Sequence, residues 1–183
     1  MRRALLSSGL LMAVVAAGCS SEVAGTPEGT EQTTEESVAF NPCSELPDEA
    51  LRAADLDPAS KSTSIDPPSG PSTWRICRWD PIDGQPYMVG IASTTHTQDE
   101  VLNNPTVTGF KDVQIGDRAG KTYHQAGRGT DDLLRCYVSL PAEHGMHNVI
   151  LSWRYSQRES APETPPCTLA VERARALEPF LPK

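Results

Sequence analysis

Apolar side chains are spread along this chain in three different ways. Residues 5–17 form an uncharged, mostly apolar run, residues 20–39 carry almost no apolar side chains, and from residue 40 they recur with short periods. Those periods predict the elements of a domain. Leu46, Ala50, Leu51 and Leu56 predict a helix over 46–56, with Pro47, Asp48 and Glu49 suited to its first turn and Asp57-Pro58 as its stop. Residues 60–73, with three prolines and Gly70, read as loop. Residues 74–79 read as a strand, residues 80–86 as a turn of breakers, and Tyr87, Val89 and Ile91 as the return strand of a hairpin. A short helix over 98–103 ends at Asn104-Pro105.

Residues 113–116 and 119–124 predict two short strands about a tight turn. A longer hairpin is predicted from 136–140 and 149–155, with Val149, Leu151, Trp153 and Tyr155 on one face. After Pro165-Pro166, the positions Ala170, Val171, Ala174, Leu177 and Leu181 form one helical stripe. The order is helix, two strands, short helix, about four strands, helix. That is an α+β fold: an antiparallel sheet of about five to six strands with N- and C-terminal helices packed on one face. No series of strand-helix-strand crossovers supports a nucleotide-binding parallel sheet.

The first run has a different meaning. Arg2 and Arg3 precede it and Gly18-Cys19 closes it, which is the layout of a secretory signal. Its end resembles the lipobox of bacterial lipoprotein precursors, with Ala16 where that pattern more often has Leu. The resemblance implies cleavage after residue 18 and acylation of Cys19. The run is shorter than the ~20 residues a membrane-spanning helix needs. The organisation expected is a lipoprotein signal peptide over 1–18, a lipidated cysteine and disordered acidic tether over 19–39, and one extracytoplasmic domain over 40–183. The protein is then anchored to the cell membrane and faces outward.

Charge sharpens this picture. Without Arg2 and Arg3 the formal net charge moves from −8 to −10, of which the five glutamates of residues 20–39 supply −5 and residues 40–183 the rest. The tether is too polar to offset its ordering entropy, and at ~5–6 Å × √n its twenty residues reach roughly 25 Å. An acidic domain is a poor partner for nucleic acid or anionic lipid, so membrane attachment falls to the acyl chains.

Cys43, Cys77, Cys136 and Cys167 remain once Cys19 is set aside. None forms a C-x-x-C pair, and an even number in an exported domain reads as two disulfides of three possible connectivities. Pairing strand with strand and end with end gives the expectation Cys77–Cys136 nested inside Cys43–Cys167.

Several of these positions recur as marks in a fixed order. They are Asn41-Pro42-Cys43, Cys77-Arg78-Trp79, Val113-x-Ile115-Gly116-Asp117-x-Ala119, Cys136-Tyr137-Val138, and Cys167-x-x-Ala170 with the closing Leu181-Pro182. With the lipobox and tether, the chain resembles an actinobacterial lipoprotein family of unknown function, domain of unknown function 3558, which includes the mycobacterial LprB- and LprC-like proteins. The resemblance covers essentially the whole exported chain. It implies a cell-envelope location and carries no activity.

Candidate chemistry is sparse. Gly116-Asp117-Arg118-Ala119-Gly120-Lys121-Thr122 has one residue too few between its glycines for a P-loop, and strand follows instead of helix; it reads as a turn. Glu143, His144 and His147 offer metal ligands within five residues, although Gly145 favours a solvated hairpin loop; a Zn²⁺ or Cu²⁺ site on His144 and His147 is the second reading. His96 and His124 are isolated, and the acids Asp80, Asp83, Asp131 and Asp132 fall in turns. Trp74, Trp79, Trp153, Tyr87 and Tyr155 are expected in the core rather than in a ligand pocket. No catalytic motif, cofactor or nucleotide site is expected. The functional expectation is a non-catalytic binding module for an envelope protein or small ligand. The alternatives are a carrier of an apolar molecule in a cavity between sheet and helices, or an enzyme whose site motifs do not reveal.

Overall fold

The computed structural model describes residues 37–66, 70–127, 133–161 and 165–183. Residues 1–36, and with them the expected signal peptide, Cys19 and most of the expected tether, lie outside the described residues, as do the turn acids Asp131 and Asp132. Among the described residues no helix is long and apolar enough to cross a membrane.

Six strands form one antiparallel sheet: β1 (Trp74–Trp79), β2 (Tyr87–Thr94), β3 (Val107–Ile115), β4 (Arg118–Gln125), β5 (Arg135–Ala142) and β6 (Gly145–Trp153). Their spatial order is β1-β2-β6-β5-β4-β3. A β1–β2 hairpin and a β3-to-β6 meander are therefore joined by pairing β2 to β6 over eight residue pairs. Four helices accompany the sheet: α1 (Pro42–Glu45), α2 (Asp48–Ala53), α3 (Gln98–Leu102) and α4 (Cys167–Leu177). The α+β class and strand count are as expected.

Three boundaries differ from the sequence pattern, each for a local reason. The helix expected over 46–56 is shortened to α2, and a further turn of helix, α1, stands before it; Pro47 separates the two by forcing Leu46 out of the helical region, to ψ 120°. Strand β3 starts six residues before its expected start at 113; a register shift between Thr108 and Lys111 breaks the period of two that would have betrayed it. Tyr155 does not continue the β6 face. It begins a 3-10 turn and is largely exposed.

Register places Trp79, Val89, Leu151 and Cys136 in one row across the sheet, and Cys77, Ile91, Val149 and Val138 in the next. All eight are at most 1% exposed. Ala50 and Leu51 of α2 and Ala170, Ala174 and Leu177 of α4 belong to the same buried cluster. Each such Leu or Ile contributes about 1.5–3 kcal/mol by leaving water. These side chains occupy the layer in which the alternative reading, a carrier of an apolar molecule, places its cavity.

The same rows overturn the expected disulfides. Cys77 and Cys136 point to one face but lie three strands apart, roughly 14 Å at about 4.8 Å per strand. A disulfide spans a Cα separation of about 5.5 Å. Each strand cysteine instead bonds the helix beside it: Cys43–Cys77 ties α1 to β1 with a Cα separation of 5.2 Å, and Cys136–Cys167 ties β5 to the start of α4 at 5.1 Å. The pairing is sequential rather than nested. Closing loops of 34 and 31 residues is worth about 4 kcal/mol each in the chain-entropy account.

Candidate functional site

Strand residues that alternate with the core rows face the other way, and there the sheet is hollow. Arg78, Gly90, Ile150 and Tyr137 line up across β1, β2, β6 and β5, and Tyr123 extends the row onto β4. Met88, Ser152 and Arg135 form the adjacent row. The Tyr123 ring stacks on Tyr137 with centroids 5.0 Å apart and planes within 4°, and Phe110 lies 5.5 Å beyond it. Ile65 and Ile76 complete a groove of about 300 Å³ whose floor includes Gly90, Ile150 and Tyr137. A Cβ at position 90 would meet Ile150 at 3.5 Å, an ordinary contact. Packing therefore does not demand glycine there; its missing side chain leaves the floor open.

Two arginines lean into this groove from opposite sides. Arg78 Nη1 reaches Met88 Sδ at 3.7 Å, while Arg135 Nε donates to Ser152 Oγ at 2.9 Å and its Nη1 to the Tyr137 hydroxyl at 3.3 Å. Met88 and Ser152 are direct cross-strand partners. The two guanidinium groups thus each touch one member of a single cross-strand pair. Among the described residues no carboxylate lines the groove and neither arginine has an acidic partner within 4.0 Å. All the protein contacts they have there are neutral.

The residues singled out by sequence are elsewhere. His144 is exposed in the two-residue turn between Ala142 and Gly145, whereas His147 is 4% exposed on β6. His147 Nε2 lies 3.1 Å from the Pro182 carbonyl, and Nδ1 lies 2.8 Å from Ser93 Oγ. A carbonyl only accepts, so Nε2 carries the proton and Nδ1 accepts the Ser93 hydroxyl. His147 engages both nitrogens within the fold while His144 stands out in solvent, and the burial of His147 on β6 corrects its solvated-loop reading. Among the described residues no group of three acids, histidines or cysteines is arranged to hold a metal. Burial, with the nearby charge of Arg118, pushes the His147 pKa down to about 4. An imidazole so weakly basic is a poor general base for Ser93 at neutral pH.

Arg118, from the near-P-loop segment, sits at the centre of the same region. Gly116 and Asp117 are the two-residue turn joining Ile115 to Arg118, as the strand-turn reading expects. Arg118 is 5% exposed and donates to Glu178 Oε1 at 3.2 Å and to the carbonyls of Pro141, Leu181 and Pro182 at 3.0, 2.6 and 2.7 Å. Lys183 also bonds Glu178, and these two cations, Lys183 foremost, hold the carboxyl below its usual range. Ser93, His147, Arg118 and Glu178 together clasp the C-terminal segment to the sheet.

The remaining expectations resolve simply. His96 is exposed and lies 3.6 Å from Glu100, and His124 Nδ1 lies 3.0 Å from the Gln125 carbonyl. Asp80 pairs with Arg154 at 2.7 Å, and Asp83 accepts the Gln85 amide. Trp79 and Tyr87 are core residues as expected, while exposed Tyr155 is not. The aromatic row Phe110, Tyr123 and Tyr137 and the arginines beside it went unrecognised. Their signal was alternation out of phase with the cysteines and valines of the same strands.

A family of proteins described as a protein of unknown function, DUF3558, matches residues 14–179. The chain belongs to this family. For this DUF3558 chain the match takes in both disulfides, both groove arginines, Gly90 and Arg118. No curated protein and no solved structure matches it.

Proposed function

We propose that this DUF3558 protein is a lipid-anchored envelope binding protein, acylated at Cys19 and carrying its domain on the acidic tether of residues 20–39. It acts by non-catalytic binding, at the groove on the sheet face opposite the buried cluster. The observation that carries the reading is that groove: about 300 Å³, half-buried, and lined by Ile76, Met88, Ile150 and Tyr137 with two inward-leaning arginines. Its volume is at the lower end of small-ligand sites, about 300–1,000 Å³, which favours a small envelope molecule over a protein surface. The filled layer between sheet and helices argues against a carrier cavity there. Arg2-Arg3, the apolar run and Gly18-Cys19 support export and anchoring. The ordered cysteine marks support kinship with the actinobacterial LprB-like lipoproteins.

Two experiments test the reading. Metabolic labelling with a fatty-acid analogue is expected to mark the wild-type chain and not Cys19→Ala; equal labelling of both would end the anchoring proposal. A photoreactive side chain introduced at Met88 is expected to capture an envelope component that one at exposed Glu172 does not. Identical capture at both positions would remove the groove from the account.

A further inference from the structure

We infer that the groove takes a small amphipathic anion: a flat apolar body lying on Gly90, Ile150 and Tyr137, with one carboxylate or phosphate head held between Arg78 and Arg135. The inference rests on the groove being the binding site proposed above and adds the chemical class of its occupant. Three observations converge on it.

The first is charge. Arg78 and Arg135 come from strands three places apart, yet both line the groove, one guanidinium on Met88 and the other on its cross-strand partner Ser152. Two like charges brought into one half-buried hollow repel, and among the described residues its lining supplies no carboxylate to relieve them. An anion placed between them does. The same chain shows how it treats an arginine meant for structure: Arg118 is given a carboxylate and three carbonyls.

The second is donor geometry. Arg78 spends only Nη1 on the Met88 sulfur, a weak acceptor, and Arg135 spends Nε and Nη1 on hydroxyls. Further N–H donors remain on both forks, and a forked guanidinium matches carboxylate and phosphate oxygens in pairs. The third is shape. Gly90 leaves room beside Ile150, and the Tyr137 ring on the far side of Ile150 is already stacked on Tyr123, so a planar body can lie along this row.

The test is calorimetric titration of the full chain in phosphatidylcholine nanodiscs, against empty discs, with 2-naphthoate, 2-naphthyl phosphate and uncharged 2-naphthamide. Either anion is expected to bind at least about tenfold more tightly than the amide, the scale of one charge-assisted hydrogen bond. The two anions decide between a carboxylate and a phosphate head. Arg78→Gln/Arg135→Gln is expected to remove that preference, and Gly90→Leu to abolish binding of all three probes. Anions binding no better than the amide, or not at all, would overturn the inference. So would an anion preference that survives loss of both arginines. Anions and amide binding with equal affinity, all three lost in Gly90→Leu, would keep the groove and reject the anion. Retained folding of each variant is checked by its melting profile.

Discussion

Arg118 and the pair Arg78 and Arg135 are the same side chain put to opposite uses on two regions of one sheet. At the C-terminal clasp the guanidinium is buried, ion-paired to Glu178 and bonded to three carbonyls, so that almost every donor is used within the fold. At the groove two guanidiniums are half-exposed and, among the described residues, bonded to a thioether and hydroxyls rather than to a carboxylate. A buried cation with complete partners is a fastening. Cations gathered without a counter-charge around an apolar hollow are a site awaiting one. The difference lies in the partners.

The comparison breaks most easily at Arg118. Arg118→Met removes a buried donor from Glu178 and from three carbonyls, and is expected to cost about 3–5 kcal/mol in urea unfolding under oxidising conditions. Arg78→Gln and Arg135→Gln are expected to stay within about 1 kcal/mol of wild type. Equal losses at the two regions would mean that the groove arginines are structural too.

Acid should separate the regions next. His147 is held neutral in the folded chain, with its pKa pushed to about 4 against an ordinary 6.5. Between those values the unfolded chain binds a proton that the folded one does not. The stabilisation is therefore complete above pH 6.5 and is lost as pH falls towards 4, by about 3 kcal/mol in all. Glu178, whose pKa is also lowered, loses its contribution at more acid pH still. His147→Gln keeps a donor and an acceptor without a titrating ring, and should flatten the slope between pH 6.5 and 4. Arg78→Gln should leave the slope unchanged.

The smallest contrast is between two glycines. At Gly116, φ is +55° and a Cβ would fall 2.5 Å from the Glu178 carboxylate, so Gly116→Ala is expected to destabilise by more than about 1 kcal/mol. Gly90→Ala meets only ordinary contacts, and removing a strand glycine should raise stability by about 0.5–1 kcal/mol. Melting curves of the two variants check this. A destabilised Gly90→Ala would give that glycine a packing role in place of the hollow assigned to it.

Much of the architecture was legible before any coordinates, because alternation and helical spacing are local signals. Val149, Leu151, Ala170, Ala174 and Leu177 could be placed from their spacing alone, and the order of helices and strands followed. What depended on strand order was not legible. Nothing local in β2 says that it pairs with β6, and without that pairing Cys77 and Cys136 look like neighbours when they are three strands apart. The groove was hidden for the same reason. Arg78, Gly90, Ile150 and Tyr137 come from four strands spread over more than seventy residues of sequence, and only the register brings them into one row. His147 misled in another way: its position beside a glycine turn suggested solvent, while its partners Ser93 and Pro182 lie far off along the chain.

The most direct measurement follows the arginine Nε–H resonances of the ¹⁵N-labelled chain during titration with 2-naphthoate. The account predicts that Arg78 and Arg135 shift together and saturate at one ligand per chain while Arg118 stays still. Saturable binding that leaves Arg78 and Arg135 unmoved would contradict it.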